Sequence, residues 1–181
     1  MSKGILKTAL LAWLLFSVAS AHANQAYTFT QSGFAEGAVI SGSFSGNDLN
    51  HDGLIQGASF NPGGLSEITA FSVAWSGNSD IPAFSQSLID LTFFSFDTAN
   101  STLGQVSPEG IATNWFGLTG FQYLAGLGVN SSNASYIVNA ETGVNVESFG
   151  LIHVTAVPLP GTAWLFGSTL IGFLELKRRS A

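Results

Sequence analysis

The chain of 181 residues contains no cysteine, so disulfides, thiolate metal sites and a thiol nucleophile are all excluded. It has few charges of either sign, 9% of its residues, and almost none that are basic. All five lysines and arginines lie at the ends: Lys3, Lys7, Lys177, Arg178 and Arg179. Between His22 and Leu174 stand ten carboxylates (Glu36, Asp48, Asp52, Glu67, Asp80, Asp90, Asp97, Glu109, Glu141 and Glu147) and no lysine or arginine. That stretch can form no Lys or Arg salt bridge within itself. It also lacks the cations that neutralise phosphate, which argues against a nucleic-acid partner and leaves divalent cations as plausible ones. Missing too, before the C-terminal tail, is any sustained helical period.

What is present is glycine, 21 residues of it, together with serine, threonine and asparagine and short apolar runs. From Tyr27 to Val157 the pattern is period two or a short apolar run broken by turn residues, which predicts strands. Ala38 to Ser45 places Ala38, Ile40, Gly42 and Phe44 on one face. Ile68 to Trp75 gathers Phe71, Val73 and Trp75. Further strands are predicted over 87–96, 115–124, 134–140 and 144–157, with Glu141-Thr142-Gly143 as a tight hairpin turn. The expectation is an all-β domain over residues 24–156, an antiparallel β-sandwich or a jelly-roll-like variant of one. "FSGN" at Phe44 and "WSGN" at Trp75 read as repeated turn chemistry rather than duplication.

The two ends carry targeting patterns. Residues 1–23 combine Lys3 and Lys7, an apolar run from Ala9 to Ala19, and the small-residue stretch "ASAHA", the layout of a secretory signal peptide. Ala21-His22-Ala23 or Ala19-Ser20-Ala21 would direct its cleavage, and an uncleaved N-terminal anchor is the alternative. At residues 157–181, Val157-Pro158-Leu159-Pro160 precedes an apolar run from Gly161 to Leu174 and the basic stop Lys177, Arg178 and Arg179. Continued past Glu175 to Leu176, about sixteen residues at ~1.5 Å each reach ~24 Å, short of the ~30 Å hydrocarbon core, so this is a marginal transmembrane helix. The basic cluster would stay on the cytoplasmic side.

The order "VPLP", "WLFGSTLIGFL", "KRR" resembles the PEP-CTERM sorting signal of Gram-negative bacteria. The resemblance covers about twenty-five residues. It departs from the usual Pro-Glu-Pro motif in having Pro158-Leu159-Pro160. It implies an exosortase-type processing enzyme as partner, an inner-membrane-held precursor, and release to the cell surface or the exopolysaccharide matrix. Leu159-Pro160-Gly161-Thr162-Ala163 also approaches a sortase LPxTG signal, and a retained single-pass anchor is a third reading.

One motif could hold a ligand. In "DLNHDGLI", Asp48, Asn50 and Asp52 offer side-chain oxygens and Leu54 its carbonyl, around the bend at Gly53, as in calcium loops of the EF-hand or dockerin type. The twelfth position is Ser59 instead of Glu, and Glu67 could close such a Ca2+ site if the intervening segment loops out. The same residues serve equally as a hairpin turn. Trp75, Trp115, Tyr123 and Tyr136 are either sugar-stacking rings or core aromatics. Catalysis has thin support: His51 and His153 have no nucleophile-elbow motif beside them, and no carboxylate pair stands out. The functional expectation is a non-enzymatic matrix or adhesive protein, with a calcium-dependent carbohydrate-binding module and a secreted hydrolase as alternatives.

Overall fold

The computed structural model describes residues 24–58 and 66–158. The proposed signal peptide, the apolar tail and its basic stop lie outside the described residues. So do Leu159 and Pro160 of the sorting motif. Among the described residues, twelve strands form two six-stranded antiparallel sheets packed face to face, a β-sandwich.

The first sheet contains β1 (Gln25–Gln31), β2 (Ile40–Gly46), β4 (Ile68–Trp75), β5 (Phe84–Ser87), β7 (Thr102–Leu103) and β12 (Ile152–Val157), in the order β5-β4-β2-β1-β12-β7. The second contains β3 (Leu54–Ala58), β6 (Leu91–Asp97), β8 (Gly110–Thr113), β9 (Phe121–Ala125), β10 (Ser135–Asn139) and β11 (Asn145–Ser148), in the order β11-β10-β9-β8-β6-β3. The last four of these strands in sequence form a meander. The final strand, β12, returns to the first sheet between β1 and β7.

Period-two alternation does what the sequence suggests in β2 and β4. Ile40 and Phe44 face inward, as do Phe71, Val73 and Trp75, while the serines between them face water. The alternation slips at Ser45 and Gly46, where a bulge shifts the register against β4. Gly143, with φ 71°, turns the hairpin between β10 and β11.

Three strand expectations need correction. Residues 88–90 form a 3₁₀ turn before β6, and the capping box between Ser87 and Asp90 sets its start. Trp115 to Gly120 is a loop, because Asn114 takes φ 47° and Gly117 N–H returns to Asn114 O at 2.7 Å; β9 begins only at Phe121. The run 144–157 is two strands. Gly150 breaks it where a Cβ would lie 2.2 Å from Ser32 O, a close approach that only glycine permits.

Aromatic contacts define how the sheets cross. Tyr27, Phe44 and Phe71 stand in register across β1, β2 and β4. Phe96 packs on Tyr27 and Phe44, and Phe94 on Phe44 and Phe71, with ring centroids 4.7 to 6.1 Å apart. β6 therefore runs across the strands of the first sheet rather than along them, a near-orthogonal packing. Moving along β1 from Tyr27 to Gln31 accordingly crosses the second sheet from β6 to β9 and β10. There Gln31 accepts from the Tyr123 hydroxyl at 2.7 Å and donates to Ser135 Oγ at 3.0 Å and Gly150 O at 2.6 Å. Burial pushes the Tyr123 phenol well above its usual range, so it remains a donor in this buried network.

Candidate functional site

Residues 47–53 connect β2 to β3 and so cross from one sheet to the other. The crossing is held by its own polar side chains. Asp48 accepts from Asp52 N–H at 3.1 Å and Gly53 N–H at 2.8 Å. Asn50 Oδ1 accepts from Asp52 N–H at 3.0 Å, and Asp52 Oδ1 from Leu54 N–H at 2.8 Å. Asn50 Nδ2 donates to the second Asp52 oxygen at 3.0 Å. These are nested Asx turns, with His51 at φ 63° and Gly53 at φ 88° supplying the left-handed bends.

Glu67, 2% exposed at the start of β4, closes the loop from inside. Its Oε1 accepts from Leu49 N–H at 2.8 Å and Asn50 N–H at 3.3 Å, and its Oε2 from Gln56 N–H at 2.9 Å. Without a lysine or arginine in this part of the chain, three backbone donors take the place of a countercharge. The structure thus brings together Asp48, Asn50, Asp52, Leu54 and Glu67.

A calcium cage needs these oxygens aimed at one centre. Here Asp48 and Glu67 each turn both oxygens to N–H groups, and Leu54 enters β3 opposite Asp97. The donor set fits a self-capped turn more closely than a cage. Among the described residues no group of three or more His, Cys, Asp or Glu side chains is placed to hold a metal.

A second buried carboxylate repeats the device. Glu109, 1% exposed, accepts from Asp97 N–H at 3.1 Å, Asn100 Nδ2 at 3.1 Å and Gly104 N–H at 3.0 Å. It ties the β6–β7 and β7–β8 connections together. At the surface, Glu36 accepts from the Ser79 hydroxyl and from Ser79 N–H at 2.9 Å, and these bonds hold its carboxyl below the usual range.

The aromatic candidates separate by burial. Trp75 and Tyr123, 2% and 0% exposed, are core residues, which removes them as sugar-stacking rings. Trp115 and Tyr136 are half-buried. Trp115 stacks on Phe116 with centroids 5.2 Å apart and meets Phe93 edge-on at 6.5 Å. Phe116 and Leu118 of the same loop are exposed. His51 lies in the turn just described, and His153 is exposed on β12 opposite Thr30 and Thr102.

At the tail, Val157 ends β12 opposite Ala26 of β1, and Pro158 is exposed directly beyond it. Gln25 also pairs with Gly46, the last residue of β2. The two ends of the domain and the Asp48 turn therefore share one end of the first sheet, where Asn47 Nδ2 donates to Asn24 Oδ1 at 2.6 Å. Among the described residues no helix is long and apolar enough to cross a membrane.

Sequence reasoning passed over the serines and threonines that alternate along β1, β2, β4 and β5. Their signal was the alternation itself, but only the strand register sets them side by side. No protein-family model matches the chain, and neither the curated proteins nor the solved structures yield a match.

Proposed function

We propose that this is an exported, non-enzymatic β-sandwich protein, held at the inner membrane as a precursor. An exosortase-type enzyme then sorts it to the cell surface or the extracellular polysaccharide matrix. The observation that supports this reading is the position of the two junctions. The sandwich begins at Gln25 and ends at Val157, and these residues lie at one end of adjacent strands, β1 and β12. Removing a leader up to Ala23 and a tail from about Pro158 takes no strand from either sheet. Pro158, where the proposed cutting region begins, is exposed.

The structural elements fit a load-bearing or adhesive role. Among the described residues, which hold no cysteine, lysine or arginine, the inter-sheet aromatics and the backbone-capped carboxylates stabilise the fold without disulfides or Lys or Arg ion pairs. The intact mass of the protein, recovered separately from membrane and extracellular fractions of its native host, tests the proposal. The expected extracellular species lacks residues 1–23 and everything from about Pro158 onward. A membrane-bound product that keeps Lys177 to Ala181 would overturn it and leave a single-pass envelope protein.

A further inference from the structure

The outer face of the first sheet carries short polar side chains in two rows that run across the strands. Thr28, Ser43 and Ser72 form one row and Thr30, Ser41 and Ser85 the other, each in register through successive ladders. Ala74 fills the remaining place, between Ser41 and Ser85. All seven side chains are exposed. Between the rows lies the backbone of Phe29, Gly42, Val73 and Gln86, and the space above it is a shallow, open trough of about 560 Å³.

Gly42 lets the strands beneath the trough pack closely. A Cβ there would point inward and lie 2.3 Å from the Phe29 ring and 2.4 Å from Ser72 O, so the strands pack closely only because it is glycine. At the usual strand spacing of ~4.8 Å, four strands give the trough a length of roughly 14 Å.

We infer that this trough binds a neutral polysaccharide chain. Each wall hydroxyl is both donor and acceptor, which matches the hydroxyls of a sugar. Serine and threonine on a sheet have little rotamer freedom to lose on binding. Ser43 and Ser72 are already ordered by their mutual hydrogen bond at 2.9 Å. Charge selects the ligand: neither wall carries a charged side chain, and ten carboxylates with no lysine or arginine across the domain repel a polyanion. A second copy of the chain is a poorer occupant, because no large apolar side chain rises from the walls to exclude water. The inference rests on the matrix reading for its biological setting, but its chemistry does not depend on sorting.

The test is affinity electrophoresis of the full chain in mild detergent, through native gels containing dextran, a mixed-linkage β-glucan or galactomannan, with alginate as the anionic comparison. At least one neutral polymer is expected to slow the wild type, and alginate is not. Replacing Thr28→Val together with Thr30→Val removes two hydroxyls at nearly constant shape and suits a strand, so the fold is preserved. It should weaken retardation by about tenfold. Ser72→Glu, which fills the trough with a bulky charged group that an uncharged chain would have to desolvate, should abolish it, and Phe116→Ala in the β8–β9 loop of the other sheet should leave it unchanged. Absence of retardation by every neutral polymer, unaltered binding in the valine pair, or loss in Phe116→Ala would each overturn the inference. None of these outcomes touches the processing proposal, which the mass measurement decides alone.

Discussion

At the scale of single residues, this domain solves an unusual electrostatic problem. A buried carboxylate normally takes a cation as partner, and here no lysine or arginine is within the domain to supply one. Glu67 and Glu109 instead collect three N–H donors each from connections that would otherwise leave those donors unpaired. Their contribution is therefore to loop closure as much as to charge. Glu109→Ala would orphan donors from Asp97, Asn100 and Gly104 in a buried site, and should cost about 3 kcal/mol in urea unfolding. Glu109→Gln keeps one acceptor and should cost about half as much. Equal stability of Glu109→Ala and the wild type would show that water reaches these donors. Of this arrangement, the sequence made the Asp48 turn and the approach of Glu67 legible, because both follow from short-range spacing. It could not show that Glu67 meets N–H groups, since that depends on where Gln56 and Leu49 settle in three dimensions.

At the scale of elements, several of the strands that could be read were those with one wet face. β2, β4 and β10 show the alternation that half-burial imposes. β8, buried along its whole length, offers none, and so escaped detection in "GIAT". The run from Trp115 looked like a strand because a loop that exposes Phe116 and Leu118 has the composition of one. The crossing of the sheets was not legible, since it is fixed by which aromatics meet across 23 to 69 residues of chain. The register of β1, β2 and β4 depends on Gly42. Gly42→Ala should destabilise the domain by about 2 to 3 kcal/mol in chemical denaturation. Adding Phe29→Leu should recover only part of that, because the clash with Ser72 O is with backbone and remains. Full recovery in the double variant would mean that the strands can separate there at little cost.

At the scale of the whole molecule, the ten carboxylates between His22 and Leu174 face no opposing lysine or arginine, so the folded state concentrates repulsion that the unfolded chain spreads over a larger volume. Salt should therefore stabilise this domain. Raising sodium chloride from about 10 mM to 150 mM shortens the Debye length from ~30 Å to ~8 Å, and should raise the unfolding free energy by about 1 kcal/mol. If calcium at matched ionic strength stabilised no more than sodium, screening would account for the whole effect and the Asp48 turn would need no ion. A larger rise with calcium, lost in Asp48→Ala, would mean that the turn's oxygens reorganise around the metal.

The place of β12 between β1 and β7 also bears on timing. β1 pairs Tyr27 with Phe44 on one side, a contact made early in synthesis, and with Ala156 on the other, a residue near the far end of the domain. Closing a loop of that length is slow compared with forming local hairpins. The first sheet cannot be completed until the last strand arrives. A chain fed through a membrane channel with its N-terminus leading would thus stay threadable for nearly its whole length. It would lock into shape only as its final residues came clear, and, on the proposed sorting, Val157 and Pro158 would come within the cutting enzyme's reach at that same moment.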